Sequence, residues 1–451
     1  MERFDGAVLR DGDPGFDQAC SDAVWNGLKP NRRPAIVVVA ASRDDAARAV
    51  RLAAAEGLSV GVRSGGHAWG GNALRDGGLL LDLSRLDSIE IDTNADRAVV
   101  EPGVRGNVLT AALAPRGRYF PGGHCPTVGL AGFTLGGGFG FNSRVIGPAA
   151  FSLRAVDVVL ADGSEVHATD DAHTEILWAA RGSGPGFFGV VTRLHLDIRP
   201  LPGVVAASVQ IYPIEVYDEL LPWYAHTAAA VSPKVNPVLI AAAHSPVPHY
   251  QGTILMVANY VFADDMQEAA ALLAPLESAP CIDRAVVRAP AHPSSIDEQY
   301  ALLDQLYPPG HRYLTDNLWV RPLEPQLWPD AKAIFETLPS AGSHVVLAPW
   351  VPQSHSNAAF GLQTEMSFHV YAVYDDAAED ASMLAWHADA LGRIEAHSVG
   401  GGKVNDSNLF VRPMAVMRPD AANRLEALRR RYDPDGRFDG YPSELPDARA
   451  A

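Results

Sequence analysis

Residues 122–140 read Gly-Gly-His-Cys-Pro-Thr-Val-Gly-Leu-Ala-Gly-Phe-Thr-Leu-Gly-Gly-Gly-Phe-Gly. Glycine at this density makes a regular helix or strand entropically costly, so the stretch is predicted to be a loop that a ligand approaches along its backbone. A second loop, Val62-Arg63-Ser64-Gly65-Gly66-His67, leaves the strand-like residues 60–62. Successive N–H groups with no side chains in the way form a nest for an anion such as a pyrophosphate. Neither loop has the nicotinamide pattern. Gly136-Gly137-Gly138-Phe139-Gly140 lacks the strand–GxGxxG–helix frame with its later acid, and no GxxxxGK[ST] occurs in the chain. Each loop carries a reactive side chain: His67 follows Gly65-Gly66, and Cys125 sits between His124 and Pro126. A thiol in such a loop beside an imidazole is a candidate reactive group.

Working outward, residues 34–39 form a β-branched run read as a buried strand. Ser42 stands at the N-cap of a helix over 44–56, Asp44 and Asp45 favour the positive end of its dipole, and Gly57 stops it. Short strands are expected at 78–83, 89–91 and 98–101, a helix over 108–113, and a hairpin arm at 155–160 turning at Ala161-Asp162-Gly163. Residues 181–196 make another glycine-rich turn and a strand. This first half reads as an α/β unit. Pro200, Pro202 and Gly203 mark a boundary. Beyond it, strand-like runs at 204–212, 253–262, 344–350 and 365–374 alternate with helical runs at 268–276, 330–338 and 380–397. That mixture predicts an antiparallel sheet with helices on one face.

The chain has 36 Lys plus Arg against 53 Asp plus Glu, a net −17, which disfavours nucleic acid and anionic membrane as partners. Cys20, Cys125 and Cys281 include no CxxC pair, so neither a disulfide framework nor a zinc site is expected. The acidic N-terminal stretch has no signal-peptide pattern, no run is apolar enough to span a membrane, and ELPDARAA at 444–451 has no lipidation signal. The expectation is a cytoplasmic enzyme, monomeric or homodimeric.

Three groups of residues together carry a resemblance. Val62–His67, then Gly122-Gly123-His124-Cys125-Pro126-Thr127-Val128-Gly129 with Gly136–Gly140, resemble the berberine bridge enzyme-like family of vanillyl-alcohol-oxidase-type, FAD-linked oxidases. Cys125 lies 58 positions after His67. Arg181-Gly182 through Phe188-Gly189-Val190-Val191-Thr192 resembles the family's next FAD loop, and Tyr432-Asp433-Pro434 with Phe438 its C-terminal signature. The resemblance implies an α+β, two-domain PCMH-type FAD-binding fold: residues 1–203 bind FAD, 204–402 form an antiparallel-sheet substrate domain covered by helices, and 403–451 complete the FAD domain. It implies bicovalent FAD, with His67 bonded to the 8α-methyl carbon and Cys125 to C6. Arg63, Ser64, Gly65, Gly66 and Ala68 would cradle the pyrophosphate; Gly129, Gly132, Thr134 and Gly138 would line the flavin and ribityl chain; Val191 would meet the adenosine. Val128 stands at the position that gates dioxygen, which implies an oxidase producing hydrogen peroxide. The reaction expected is hydride abstraction from an alcohol, amine or ring C–H of a small organic, specialised-metabolite substrate. The alternatives are a dehydrogenase with another acceptor and a redox-neutral cyclase or lyase keeping FAD as scaffold.

Departures from the family pattern bear on the chemistry. Phe133 replaces a common histidine near the flavin, and Phe151-Ser152 a common Asp-Asn pair. In Gly400-Gly401-Gly402-Lys403-Val404-Asn405-Asp406, Asn405 keeps the family asparagine, but Lys403 stands where a tyrosine often deprotonates the substrate. Lysine serves as a base when desolvation lowers its pKa. His369 and Tyr371, which share one face of the run 366–374 by its period of two, are the other candidate bases. Trp223, Tyr224, Tyr313 and Trp350 are candidate pocket aromatics, with a core role the plainer expectation.

Overall fold

The computed structural model describes residues 3–244 and 250–441, so Met1, Glu2 and the ELPDARAA stretch lie outside the described residues. The β-branched run forms the strand Ile36–Val39. The helix Arg43–Glu56 follows, with the Asp45 N–H donating to the Ser42 side chain and Gly57 closing it at φ 70°. Leu79–Asp82 pairs in parallel with Ile36–Val39 on one side and Val60–Arg63 on the other, and Ala7–Arg10 adds an antiparallel edge. Parallel strands covered on both faces read as continuous apolar runs, as Leu79–Leu81 does.

A second, five-stranded antiparallel sheet has the order Ile89–Asp92, Arg97–Val100, Val190–Asp197, Leu153–Val159, Glu165–Ala168. The expected hairpin is its last pair, turning through Gly163 at φ 79°. Val159 and Val190 of this sheet pack with Ala46, Ala49 and Val50 of the helix Arg43–Glu56, which therefore lies between the two sheets. Parallel pairing is confined to three strands, so this half is α+β, not the α/β unit its strand–helix alternation indicates.

The third sheet has seven antiparallel strands, ordered Val287–Ser294, Val204–Pro213, Ile254–Ala263, Val235–Ala242, His344–Pro349, Met366–Tyr374, Arg312–Val320. Residues alternate between its faces over most of its length. Leu239, Val257, Leu347, Phe368 and Val370 face a core shared with the helices Tyr217–Ala230, Leu327–Phe335 and Asp380–Glu395. Their neighbours Ile240, Met256, Val346, His369 and Tyr371 face a cavity toward the first half. The C-terminal residues return to the first half: Leu425 of the helix Pro419–Tyr432 joins the core of the five-stranded sheet, and the Val60 N–H donates to the Arg437 carbonyl at 2.7 Å.

One expectation for the glycine-rich stretch is corrected: 122–140 is not loop throughout. Leu130–Leu135 forms a short helix that buries Leu130, Ala131 and Thr134. Six residues containing one glycine suffice for it, and the glycines gather at its two ends. Of the candidate pocket aromatics, Tyr224 and Tyr313 are fully buried, Trp350 is buried and Trp223 packs against the main core; none lines the cavity.

Arg181 ties the glycine-rich turn at 182–189 to its surroundings. It is 1% exposed, donates twice to the Leu153 carbonyl at 2.9 and 2.7 Å, and reaches Asp170 at 2.8 Å and the Asn357 carbonyl at 3.1 Å. Arg181→Leu strands the buried Leu153 carbonyl and breaks the ion pair with Asp170, and is expected to cost about 2–3 kcal/mol, read as a lowered midpoint in urea unfolding.

Candidate active site

The strand Val60–Arg63 delivers its last side chain into a buried ion pair: Arg63 Nη1 meets both Asp82 oxygens at 2.8 and 2.7 Å. That guanidinium is committed, so the chain beyond it offers backbone. A Cβ on Gly65 would lie 2.4 Å from the Gly129 nitrogen, and one on Gly129 would lie 2.5 Å from the Gly65 nitrogen. The two loops thus touch backbone to backbone, which only paired glycines permit. Ser64 Oγ donates to the Pro102 carbonyl at 2.5 Å and fixes the first loop from behind.

Next to this contact, His67 Nε2 pairs with Thr127 Oγ1 at 2.9 Å, and Trp25 stacks on the imidazole with centroids 5.1 Å apart. Cys125 stands two residues before that threonine. His67 and Cys125 line one cavity of about 1170 Å³. Arg63, Ser64, Gly65, Gly66 and Ala68 line it from the first loop, Val128, Gly129 and Gly132 from the second, and Val191 and Asn405 from elsewhere. Thr134 and Gly138 do not reach it. Thr134 is fully buried, and Gly138 accepts from the Ala149 N–H at 2.8 Å with Phe133 and Ala149 filling its Cβ direction. They support the wall from behind. Asn405 donates to the Phe133 carbonyl at 3.0 Å, and its amide occupies the space a Cβ on Gly136 would take.

The three candidate bases gather on the cavity floor. Lys403 Nζ donates to His369 Nε2 at 3.4 Å and lies over Phe139 and Trp319, 4.5 and 5.4 Å from their centroids. It is buried, not a solvated surface charge. Asn317 grips its backbone from both sides, accepting its N–H at 2.6 Å and donating to its carbonyl at 3.0 Å. His369 also pairs with Ser367 at 3.0 Å, and its Nδ1 has no partner among the described residues. Tyr371 stacks on His344 at 4.6 Å and meets Tyr307 edge-on at 5.3 Å.

Burial sets the charges. Desolvation lowers the Lys403 ammonium to about 8, against an opposing pull from Asp406. It holds His369 well below its ordinary value, helped by Lys403, and pushes the Tyr371 hydroxyl up. Desolvation, with Arg105 and Arg63 nearby, lowers His67 to about 4; burial pushes the Cys125 thiol up to about 12. At neutral pH the His67 ring is therefore neutral, and Cys125 is a thiol.

Sequence reasoning missed Tyr307, His344 and Tyr260, which also line the cavity, and gave His124, though quoted, no partner. His124 Nε2 pairs with Tyr260 Oη at 2.9 Å across the two halves. No local pattern marks these contacts, because Tyr260 and His344 come from distant strands and Tyr307 from the end of the helix Ile296–Leu306. Thr127 did lie within the quoted motif.

A backbone-lined cradle opening into a long cavity, with an apolar wall at Val191 and a polar floor at Lys403, fits a dinucleotide with a flat ring. The comparisons agree. Residues 34–169 match the family described as FAD binding domain. The FAD-linked oxidoreductase janO of Penicillium janthinellum is 30% identical over 437 residues, 95% of each chain. Among solved structures, 6-hydroxy-D-nicotine oxidase from Arthrobacter nicotinovorans superposes with a TM-score of 0.83 at 24% identity over 98% of each chain. Berberine bridge enzyme from Eschscholzia californica gives 0.82 at 18% identity over 97% of this chain and 96% of its own. At those identities the structural likeness is one of fold, the PCMH-type FAD-binding fold. The chain belongs to the berberine bridge enzyme-like family of FAD-linked oxidoreductases. It is an FAD-dependent enzyme acting on a small molecule.

Gly65→Ala forces the Gly65–Gly129 contact apart. Flavin content is expected to fall at least tenfold, measured as the flavin-to-protein absorbance ratio of the purified protein.

Proposed function

We propose that the protein is an oxidase whose FAD is tethered at both His67 and Cys125, taking hydride from a C–H beside oxygen or nitrogen in a small organic, specialised-metabolite substrate, with dioxygen as acceptor and hydrogen peroxide as product. In this reading residues 1–203 with 403–451 hold the cofactor, and the sheet of 204–402 holds the substrate. The observation that carries it is that His67 and Cys125, from loops far apart in sequence, line one cavity together with Lys403, His369 and Tyr371. When bound, FAD supplies the hydride acceptor. The neutral His67 ring has a lone pair at working pH, and with Nε2 engaged by Thr127 the free nitrogen is Nδ1. Val128 on the cavity wall leaves room beside the cradle that a larger side chain would fill, which supports dioxygen access.

One observation favours a second reading. The high pKa of the Cys125 thiol makes its sulfur a poor nucleophile, in keeping with a single tether through His67. Acid precipitation separates the two. With two tethers, yellow colour stays with the pellet in wild type, His67→Ala and Cys125→Ala, and is lost only in the double variant. With one tether it is already lost in His67→Ala.

Lys403 is the proposed base. Its neutral amine takes the proton of a substrate O–H or N–H while His369 accepts an amine N–H and keeps the lone pair directed into the cavity. Tyr371, held protonated, donates to substrate. The neutral fraction of a lysine with a pKa of about 8 rises with pH, so kcat/KM should climb through that value and level off above it. Lys403→Met should remove this limb and lower kcat/KM by roughly 100-fold or more, measured by oxygen consumption across the pH range.

A further inference from the structure

On the five-stranded sheet, away from the cavity, three adjacent strands each present one potential metal ligand on the same face. Asp157 lies on Leu153–Val159 and His167 directly opposite it on Glu165–Ala168. His195 lies on Val190–Asp197 opposite Ala155, two residues along from Asp157 and so diagonal to it. Val156, Val158, Leu194 and Leu196, their chain neighbours, face the core on the other side. We propose that Asp157, His167 and His195 form a site for one divalent transition-metal ion of the zinc, cobalt or nickel type, stapling the three strands together.

The geometry carries this. His167 Nδ1 is 2.5 Å and His195 Nε2 3.4 Å from Asp157 Oδ1, and the three ligand atoms all lie within 4.8 Å of one another. Ligands about 2.0–2.2 Å from a tetrahedral ion stand roughly 3.3–3.5 Å apart, so the His195–Asp157 spacing already matches and His167 has only to swing outward. The His167 side chain is 54% exposed and free to do so. His195 Nε2 is shut off from solvent, and its one polar approach is the long 3.4 Å contact with Asp157 Oδ1. A metal ion satisfies it. Arg43 approaches the other carboxylate oxygen, Oδ2, at 4.0 Å, which opposes a cation by charge but orients the carboxylate as an outer partner does. Two imidazoles and one carboxylate form a borderline donor set that favours these ions over magnesium or calcium and leaves positions for water. His195 stands four residues, about 13 Å of strand, from Val191 on the cavity wall, so the site is structural and separate from the flavin.

The test uses the flavin-loaded enzyme, stripped with a chelator, desalted and titrated with cobalt(II), then zinc(II). Expected are one equivalent bound at micromolar affinity by calorimetry, a cobalt(II) visible band, and a melting temperature raised by about 3 °C or more. His167→Ala and His195→Ala should each weaken binding at least tenfold while flavin absorbance and turnover hold. Absence of binding at 100-fold higher concentration, or binding undiminished in the double variant, overturns the proposal. His167→Ala, at an exposed position, decides the question if His195→Ala folds poorly.

Discussion

The close approach of two backbones, at Gly65 and Gly129, is the constraint on which the rest of the site depends. It brings the loop carrying His67 against the loop carrying Cys125 and lets Thr127 reach the imidazole. Any side chain at either glycine would hold the loops apart and separate His67 from Cys125. The loops also need firm supports behind them. The Arg63–Asp82 ion pair holds one, and the Leu130–Leu135 helix, braced by Asn405, holds the other. The local structure therefore spends its polar side chains on anchoring and leaves the backbone to face the ligand.

The opposite wall follows another logic. Strand alternation sends apolar residues such as Val209, Ile240, Met256 and Val346 to the cavity and concentrates polar ones where His369, Tyr371 and Lys403 meet. Desolvation makes the buried Lys403 ammonium hold its proton more weakly, although the two aromatic faces beside it and Asp406 favour the charged form. This side of the cavity thus combines an apolar surface with one localised cluster of polar groups.

Much of this was legible in the sequence where local chemistry dictates local structure. Ser42 and Gly57 bound their helix as capping physics requires, and the glycine loops marked the cofactor half. What stayed hidden depends on distant partners. The strand Arg312–Val320 contains Thr315-Asp316-Asn317, a poor strand signal until Arg412 pairs with Asp316 at 2.9 Å and the Lys403 backbone meets Asn317. Val287–Ser294 carries Pro290 and Pro293, which a sheet tolerates only because this strand is at an edge. Val235–Ala242, with Asn236-Pro237, and the helices Tyr217–Ala230 and Ile296–Leu306 were likewise unread. Tyr307 and His344 join the site through folding alone, so no motif announces them.

Lys403, Asn405 and Phe438 line the same cavity as His67 but leave the ribosome much later. At about 5–20 residues per second, the 371 positions from His67 to Phe438 take tens of seconds to synthesise. The early loops exist well before the walls that close over them. A nascent chain therefore presents the two loops without the part of the wall that Lys403, Asn405 and Phe438 complete.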